Sequence, residues 1–525
     1  MVKTLSANLK AGSLETSTHR VTDVKGSGIK STDVKGSGTK GTDIKDSGIK
    51  STNVKSTDSI PASSAPEKVT LSDRDKRYRE MSLSAPMYKV VLTIGAPLAL
   101  YQSLSQVFSI LDTMMASHIS PESVSAVAYL AQLNFILSAL GGGLAVGAGI
   151  QISRAYGEGN FPLVKKRVST IYVLCLTLGI LLLALILPFT EGFLRFAGTP
   201  DGLIQVGSQY FRVQLITLVV TFLNNVYIAV ERARGNSKRI LKLNMIVIVT
   251  KLSLTAVFVY VLKSGLVMIA VASMISQILL LVFAVWNSRD KENVFGFSLS
   301  AISFSKEVNA PIFSNSIPVI AEKMLFAFGK TKVNSMCTVY GDLMVGAMGV
   351  SNNLGGITTN PQNGFQEGTS AIVSQNLGAK KYERVLSAFY WTLVVNMLIG
   401  AVISSLTILF SPQLSHLFDG GDETFRQMIM LVYRYEALGA VPLGANAAVL
   451  AFLYGLGKTK LSMLINVSRV FVFRIPVFYF LQHFTDYGEA SVGIVMMVSN
   501  ISVAVMAVIV AAIVIHNFKK EYLNN

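Results

Sequence analysis

Three ionisable residues stand inside long apolar stretches of this chain: Asp112, Lys251 and Glu322. A charged side chain within a bilayer is costly unless it is paired or wetted, so such residues mark pathways for ions or protons. A carboxylate can bind a cation or exchange a proton, and a lysine can act as its counter-charge. The residue types therefore predict carboxylate sites at Asp112 and Glu322, with Lys251 as an ion-pair partner. Alternatives without a role in transport stay open. Asp112 could simply contact water near the membrane surface, and Lys251 and Glu322 could have structural roles.

Polar amides recur within the same apolar stretches and form a second set of candidates. They can line a cleft for a small molecule, while hydrogen bonding between helices is the alternative role. Methionine is flexible and polarisable, which suits a surface for varied ligands, although it more often simply packs. The candidate cleft residues are Gln106, Gln132, Asn134, Asn225, Asn352, Asn353, Asn446 and Met115.

The composition indicates a membrane protein. Of 525 residues, 51% are hydrophobic and 14% are charged, and the mean hydropathy is +0.51. A soluble domain has about 25% charged residues. Apolar runs such as TIYVLCLTLGILLLALILPF reach the roughly 20 residues that a membrane-spanning helix needs. The two cysteines, Cys175 and Cys337, both lie in apolar segments, so neither a disulfide framework nor a zinc site is expected.

The apolar segments and their loops predict an all-α polytopic membrane protein with twelve transmembrane helices. Loops after helices two, four, six, eight and ten are rich in Lys and Arg, whereas the opposite loops carry few basic residues. We call the first side the basic-loop side; basic loops are typically cytoplasmic, and an even helix count places both termini there. The predicted helices cover approximately residues 89–117, 122–154, 164–188, 203–231, 239–262, 265–287, 309–338, 342–375, 382–411, 424–454, 459–481 and 489–516.

The apolar part of the chain contains two related halves. Eight residues recur at a nearly constant offset, 221 positions for five pairs and 222 for three. The pairs are Pro97/Pro318, Gly143/Gly364, Gly147/Gly368, Gly157/Gly378, Asn225/Asn446, Gly235/Gly457, Lys238/Lys460 and Asn244/Asn466. Duplicated apolar helices are typical of transporters that bind substrate between two repeats. We predict two pseudo-symmetric six-helix lobes, residues 86–295 and 296–525, with the glycines at four-residue spacing serving close packing or, alternatively, a hinge.

Residues 1–85 differ from the rest in composition. From Thr22 a ten-residue unit repeats (TDVKGSGIKS, TDVKGSGTKG, TDIKDSGIKS), rich in Ser, Thr, Gly and Lys. Such a segment buries too little apolar surface to offset the entropy of ordering, so we predict a disordered cytoplasmic tail, with a β-solenoid as the alternative. The charged segment DRDKRYRE, residues 73–80, is predicted to be a solvated linker ahead of the first helix.

Five segments give the chain a family resemblance. They are GAPLALYQSLSQVFSILDTMM, GGGLAVGAGIQISRAYGEGN, RARGNSKRILKLN, PVIAEKMLFAFGK and NPQNGFQEGTSAIVSQNLGAKKYERV. In this order, and at the corresponding helix ends, they resemble the MATE (multidrug and toxic compound extrusion) family, within the wider superfamily of polysaccharide and lipid flippases. The resemblance covers about residues 88–518. It implies two six-helix lobes around a central cleft that opens alternately to each side.

The resemblance also implies a coupling site in the first lobe. Many relatives bind a cation or a proton with an acid in helix one, which corresponds to Asp112. Their Asn and Asp in helix five correspond to Lys251 and Thr255. This departure removes negative charge that a hard cation such as sodium favours, so we expect a proton as the coupling ion, at Asp112 or at Glu322. The alternative that transport is not coupled to an ion gradient stays open.

Two functions compete. The first is secondary active efflux of amphipathic or cationic small molecules by cation- or proton-coupled antiport with alternating access. The second is a flippase or exporter for a lipid-linked or anionic metabolite, which Lys251, Arg469 and Arg474 favour because it needs a basic cleft. The sequence carries no motif of an enzyme or nucleotide hydrolase. The expected partners are a small-molecule substrate and the lipid bilayer of the plasma membrane. We expect no nucleic acid, no cofactor and a monomeric chain.

Overall fold

Twelve long helical segments carry the fold. The computed structural model describes residues 71–116, 121–290, 292–419 and 421–524. The first lobe contains α1 (Met87–Ala116), α2 (Pro121–Glu158), α3 (Phe161–Ile186), α4 (Asp201–Arg234), α5 (Ser237–Ala256, continued by a π-helix over Val257–Val261) and α6 (Val267–Ser288). The second lobe contains α7 (Lys306–Cys337), α8 (Asp342–Gly378), α9 (Tyr382–Leu409), α10 (Glu423–Leu438 and Ala440–Gly455), α11 (Thr459–Phe471 and Ile475–Phe484) and α12 (Ala490–Tyr522). Short helices cover Thr190–Phe196, Leu299–Ala301, Thr338–Tyr340 and Ser411–His416.

Most of these helices have the length and composition of membrane spans. Nine of the helices in the described ranges pass on both criteria, and the two segments of α10, which meet at 48°, make a tenth span together. Pro442 lies in the first turn of the second segment, where its missing N–H accounts for the bend. α7 and α8, 32 and 37 residues long, are also long enough but more polar. These two helices pack against α2 and α1 of the first lobe.

The duplication is visible in the contacts between the lobes. A β-carbon on Gly143 of α2 would overlap Ile320 of α7, and a β-carbon on Gly364 of α8 would overlap Ala99 of α1. Ile320 and Ala99 are themselves 221 positions apart. The equivalent contacts one turn further along are Gly147 with Ser316 and Gly368 with Gly95. The close packing predicted for the repeated glycines is therefore confirmed, and it joins the two lobes to each other.

The lobes close against each other on the basic-loop side. Gly157 lies in the last turn of α2, where a β-carbon would overlap the carbonyl of Gln375. Gly378 ends α8, where a β-carbon would overlap the carbonyl of Arg154. The Gln375 side chain also donates to the carbonyl of Ala233 at 2.6 Å. Since only glycine allows backbone to approach backbone so closely, this repeated pair sets how near the lobes come at this end.

One segment departs from the sequence prediction. Residues Asp73–Ser84, predicted as part of the disordered tail 1–85, form a helix that we call the leading helix. Ser72 caps it by accepting from the backbone N–H of Asp75 at 3.2 Å. The side chain of Asp75 is buried, and its carboxylate lies 3.0 Å from Nε of Arg234. The rest of the predicted tail, residues 1–70, lies outside the described residues.

The leading helix contacts both lobes. On the first lobe, the Tyr156 hydroxyl donates to the carbonyl of Asp75 at 2.7 Å. On the second lobe, Arg384 donates to the carbonyl of Ser82 at 3.0 Å, and Lys381 donates to the carbonyl of Leu83 at 2.8 Å. The charged composition of this segment suggested a solvated linker. The segment is instead ordered by polar and ionic contacts to distant parts of the chain, which its composition does not reveal.

We predict that Asp75→Asn lowers the stability of the protein. The substitution removes one of two carboxylates that face Arg234, the other being Glu231 at 2.8 Å. Loss of a charge-assisted contact in a buried site costs about 2 kcal/mol, which thermal unfolding in detergent would detect. The matched control is Asp73→Asn, whose pair with Lys76 is exposed to solvent and contributes little to stability. Equal melting temperatures for the two variants would contradict the assignment.

Candidate functional site

The second lobe holds a buried carboxylate. Glu322 of α7 is 5% exposed. The Tyr454 hydroxyl of α10 lies 2.7 and 2.9 Å from its two oxygens, and Nδ2 of Asn466 on α11 lies 2.6 Å from Oε1. Within the described ranges, no Lys or Arg nitrogen lies within ion-pair distance of this carboxylate. Two neutral donors therefore hold the Glu322 side chain.

Two faces of α7 meet different surroundings. Glu322 and Gly329 lie two turns apart on one face, and both contact α11, where a β-carbon on Gly329 would overlap Val470. Lys323 is rotated from Glu322 by about 100°, the angle of one residue in an α-helix. It lines a cavity of about 280 Å³ between the lobes. A carboxylate packed inside the lobe and a lysine facing the cleft are thus neighbours in sequence.

The cavity is lined by residues from both lobes. Asn225 of α4, one of the predicted cleft residues, lies beside it together with Lys323. An ion pair also lines this cavity: Nη2 of Arg232 on α4 lies 2.9 Å from Oε2 of Glu367 on α8. The side chains are 15% and 32% exposed, so water reaches the pair from one side. This ion pair ties the lobes together near the basic-loop side.

Two other predicted cleft residues come together between the lobes. Gln106 of α1 donates to Oδ1 of Asn353 on α8 at 3.4 Å. It also accepts from Nδ2 of Asn360 on α8 at 2.9 Å. These amides therefore connect α1 and α8, which is the interhelical role that was the alternative to substrate binding.

The remaining predicted cleft residues lie elsewhere. Asn134 donates to Gln214 at 3.3 Å within the first lobe, and Asn352 donates to the carbonyl of Met348 in its own helix at 2.9 Å. Asn446 is buried in α10, and its Oδ1 has no hydrogen-bond partner among the described residues. The last two candidates, Gln132 and Met115, are half-buried on α2 and α1.

The predicted coupling site of the first lobe is described in part. The backbone of Asp112 belongs to α1, but its side chain, and with it the predicted pair with Lys251, lies outside the described residues. Lys251 is half-buried on α5, which packs along α1. Thr255, one turn further, is buried, and its Oγ1 accepts or donates no hydrogen bond within the described part of the chain. The π-helix begins two residues later at Val257, and such a feature often accompanies a functional site.

The partners of Glu322 were not among the residues that the sequence predicted. Asn466 did carry a signal, because it is the repeat counterpart of Asn244. In the first lobe, Asn244 donates to the carbonyl of Ile240 at 2.8 Å, whereas Asn466 donates to a carboxylate. The repeat thus marked the position without revealing the contact. Over the described ranges, His, Cys, Asp and Glu side chains form no group of three that could hold a metal ion.

Comparisons with known proteins agree with this architecture. The family model MatE matches residues 97–257 and again residues 318–480, once in each lobe. The chain is 25% identical over 402 residues to the probable multidrug resistance protein YoeA of Bacillus subtilis, covering 74% of this chain and 86% of that protein. It is 22% identical over 353 residues to the multidrug export protein MepA of Staphylococcus aureus, covering 67% and 75%. A solved structure, described as the outward-facing conformation of a multidrug resistance MATE family transporter of the MOP superfamily, has a TM-score of 0.80 at 20% identity and covers 86% of this chain and 99% of that chain.

We predict that Arg232→Gln opens the lobes on the basic-loop side. Loss of an ion pair worth about 1 kcal/mol shifts a two-state equilibrium roughly fivefold. The readout is the rate at which a membrane-impermeant thiol reagent, added on the basic-loop side, labels Asn225→Cys in a chain whose buried Cys175 and Cys337 are replaced by serine.

Two further variants make this experiment specific. Swapping the charges, Arg232→Glu with Glu367→Arg, is expected to restore slow labelling. Arg212→Gln lies in the same helix and loses only a surface pair with Glu191, so it should label like the parent chain. Equal labelling of the Arg232 and Arg212 variants would show that the ion pair does not hold the lobes closed.

Proposed function

The chain belongs to the MATE family, and on that premise we propose that it exports amphipathic or cationic small molecules by proton-coupled antiport. The observation that carries the coupling is Glu322, a buried carboxylate with two neutral donors and no cation within ion-pair distance in the described part of the chain. In this proposal the protein works as a monomer in the plasma membrane, by alternating access of one cleft to the two sides.

The surroundings of Glu322 support a proton rather than sodium as the coupling ion. Sodium needs several oxygen ligands, but Asn466 presents its Nδ2 to the carboxylate, and the Tyr454 hydroxyl donates to it. A carboxylate among donors can instead gain or lose a proton, and each change alters the charge inside the lobe. That change of charge gives the proton a means to favour one arrangement of α7, α10 and α11 over another.

The contacts between the lobes support a defined state of the transport cycle. We assign the basic-loop side to the cytoplasm, so both termini are cytoplasmic. The contacts at Gly157 and Gly378 and the Arg232–Glu367 pair then close the cytoplasmic side. In this state the cleft faces outward, and export requires these contacts to break so that substrate enters from the cytoplasm.

The first lobe contributes a second candidate for coupling. Asp112 is the acid of α1, while Lys251 and Thr255 lie one turn apart on the adjacent helix α5. We propose that Lys251 supplies a fixed positive charge where relatives bind a cation. Protonation of Asp112 would then weaken its attraction to Lys251 and loosen α1 from α5.

We predict that Glu322→Gln abolishes efflux driven by a proton gradient. The amide keeps the shape and one acceptor oxygen but cannot exchange a proton. Export of a fluorescent cation from proteoliposomes should fall to the level of protein-free vesicles, while binding of the cation persists. The matched control is Glu423→Gln, an exposed residue of the same lobe that pairs with Arg426; it should transport normally.

Asp112→Asn tests the first lobe in the same assay, with a sodium gradient as the comparison. Normal export by the Glu322→Gln, Asp112→Asn double variant would refute coupling through either carboxylate. Export that follows a sodium gradient and ignores the proton gradient would refute the proton as the coupling ion.

A further inference from the structure

A group of cations in the second lobe is not balanced by carboxylates. The group consists of Lys330 on α7 and of Arg469 and Arg474, which flank the break in α11. None of the three lies within 4.0 Å of a carboxylate oxygen in the described part of the chain. Glu436 of α10 is the one described carboxylate that acts electrostatically on all three, and the Ser351 hydroxyl donates to it. Three cations therefore share this part of the lobe without a carboxylate in ion-pair contact.

The two arginines converge on one amide. Nη2 of Arg469 and Nη2 of Arg474 donate to Oδ1 of Asn500 on α12, at 2.7 and 3.2 Å. Nε of Arg474 donates to the Ser499 hydroxyl at 3.0 Å, and the Arg474 side chain is almost fully buried. These neutral oxygens orient the guanidinium groups and bring them close together. They do not neutralise them.

The same group lies beside the face of α7 that carries Lys323. Lys323 and Lys330 are seven residues apart and so lie on one helix face, and Lys323 lines the cavity between the lobes. Phe326 lies between them on that face, and the guanidinium carbon of Arg469 is 5.7 Å from the centre of its ring. Lys330 and Arg469 are both half-buried, whereas Arg474 lies behind them. Lys330 and Arg469 thus place cationic donors beside the aromatic ring of Phe326.

We propose that Lys330, Arg469 and Phe326 form a subsite that binds the carboxylate of an aromatic, amphipathic substrate. Excess positive charge inside a membrane protein is costly unless an anion compensates it, and Lys330 and Arg469 are only half-buried, so an anion can reach them. Guanidinium and ammonium groups bind carboxylates through charge-assisted hydrogen bonds, and an aromatic substrate can pack on Phe326. This inference rests on the proposed export function. It specifies carboxylate-bearing aromatic amphiphiles as one class of substrate. A resident inorganic anion such as chloride has the same charge, and the experiment separates the two.

The test uses two dyes that differ only in one group. Rhodamine 110 carries a free carboxylate, and rhodamine 123 is its methyl ester. Binding to the purified full-length protein is measured by fluorescence anisotropy in a Hepes buffer that contains neither chloride nor carboxylate anions. We expect Arg469→Gln and Lys330→Gln each to weaken rhodamine 110 about tenfold, the effect of one charge-assisted hydrogen bond. Rhodamine 123 should bind within about twofold of the parent affinity, since it makes no such bond.

Two control variants exclude trivial explanations. Lys330→Arg keeps the charge and should retain rhodamine 110 binding. Lys332→Gln changes an exposed lysine two residues along the same helix and should bind both dyes like the parent chain. Equal losses for both dyes in the Arg469 and Lys330 variants would mean that the cations only support the fold, and would overturn the proposal.

Adding chloride tests whether the cations bind an inorganic anion instead of a substrate. If added chloride raises the melting temperature of the parent chain but not of Arg469→Gln, and the variants bind rhodamine 110 normally, the group holds an inorganic anion and the substrate subsite is refuted. The outcome is independent of coupling, because Glu322→Gln should lose gradient-driven export yet keep rhodamine 110 binding. Failure of the parent chain to export either dye would refute the transport function while leaving the binding result readable.

Discussion

Backbone contact between α2 and α8 on the basic-loop side is the interaction on which the rest of the structure depends. Gly157 and Gly378 let each helix rest against a carbonyl of the other, so the two backbones touch at these positions. A larger residue at either position must push the helices apart. Because the lobes touch here, the space between them lies further from this end, where Asn225 and Lys323 line a cavity.

Charge is divided between the inside of the second lobe and the cleft by the geometry of α7. Glu322 turns toward Tyr454 and Asn466, while the next residue, Lys323, turns toward the other lobe. The pattern continues two turns later, where Gly329 packs on α11 and Lys330, the next residue, is rotated by about 100° from it. A rotation of α7 about its axis would therefore move a carboxylate and two lysines at once. This arrangement of opposite charges on one element suits the proton-coupled export that we propose.

The sequence predicted the membrane part well because its signals are strong. The predicted bounds of the twelve helices lie within six residues of the observed ends, and the 221-residue offset reappears in the contacts of Gly143 and Gly364. The prediction that the residues of the leading helix are disordered was wrong for a physical reason. Asp75 is held by Arg234, a residue far along the chain, and no local apolar pattern indicates this contact. Ser72, an N-cap three residues before an acid, was the one local signal.

Side-chain partners were harder to predict than helices. The hydroxyl of Tyr454 reaches Glu322 across 132 positions of sequence, and periodicity carries no information about such a contact. Among the amides, Gln106 forms a hydrogen bond with Asn353 of the other lobe. Asn352, adjacent in sequence to Asn353, forms a hydrogen bond within its own helix. A helix turns by about 100° per residue, so neighbouring positions serve different surfaces and composition alone does not assign them.

The leading helix is synthesised before the residues of both lobes that hold it. Asn293, which donates to Asp75, follows 218 positions later, and Arg384, which donates to Ser82, follows 302 positions later. At a translation rate of roughly 5–20 residues per second, Arg384 leaves the ribosome about 15–60 seconds after Ser82. The leading helix is thus among the last elements to dock, and a nascent chain that stops within α8 still lacks half of its docking site.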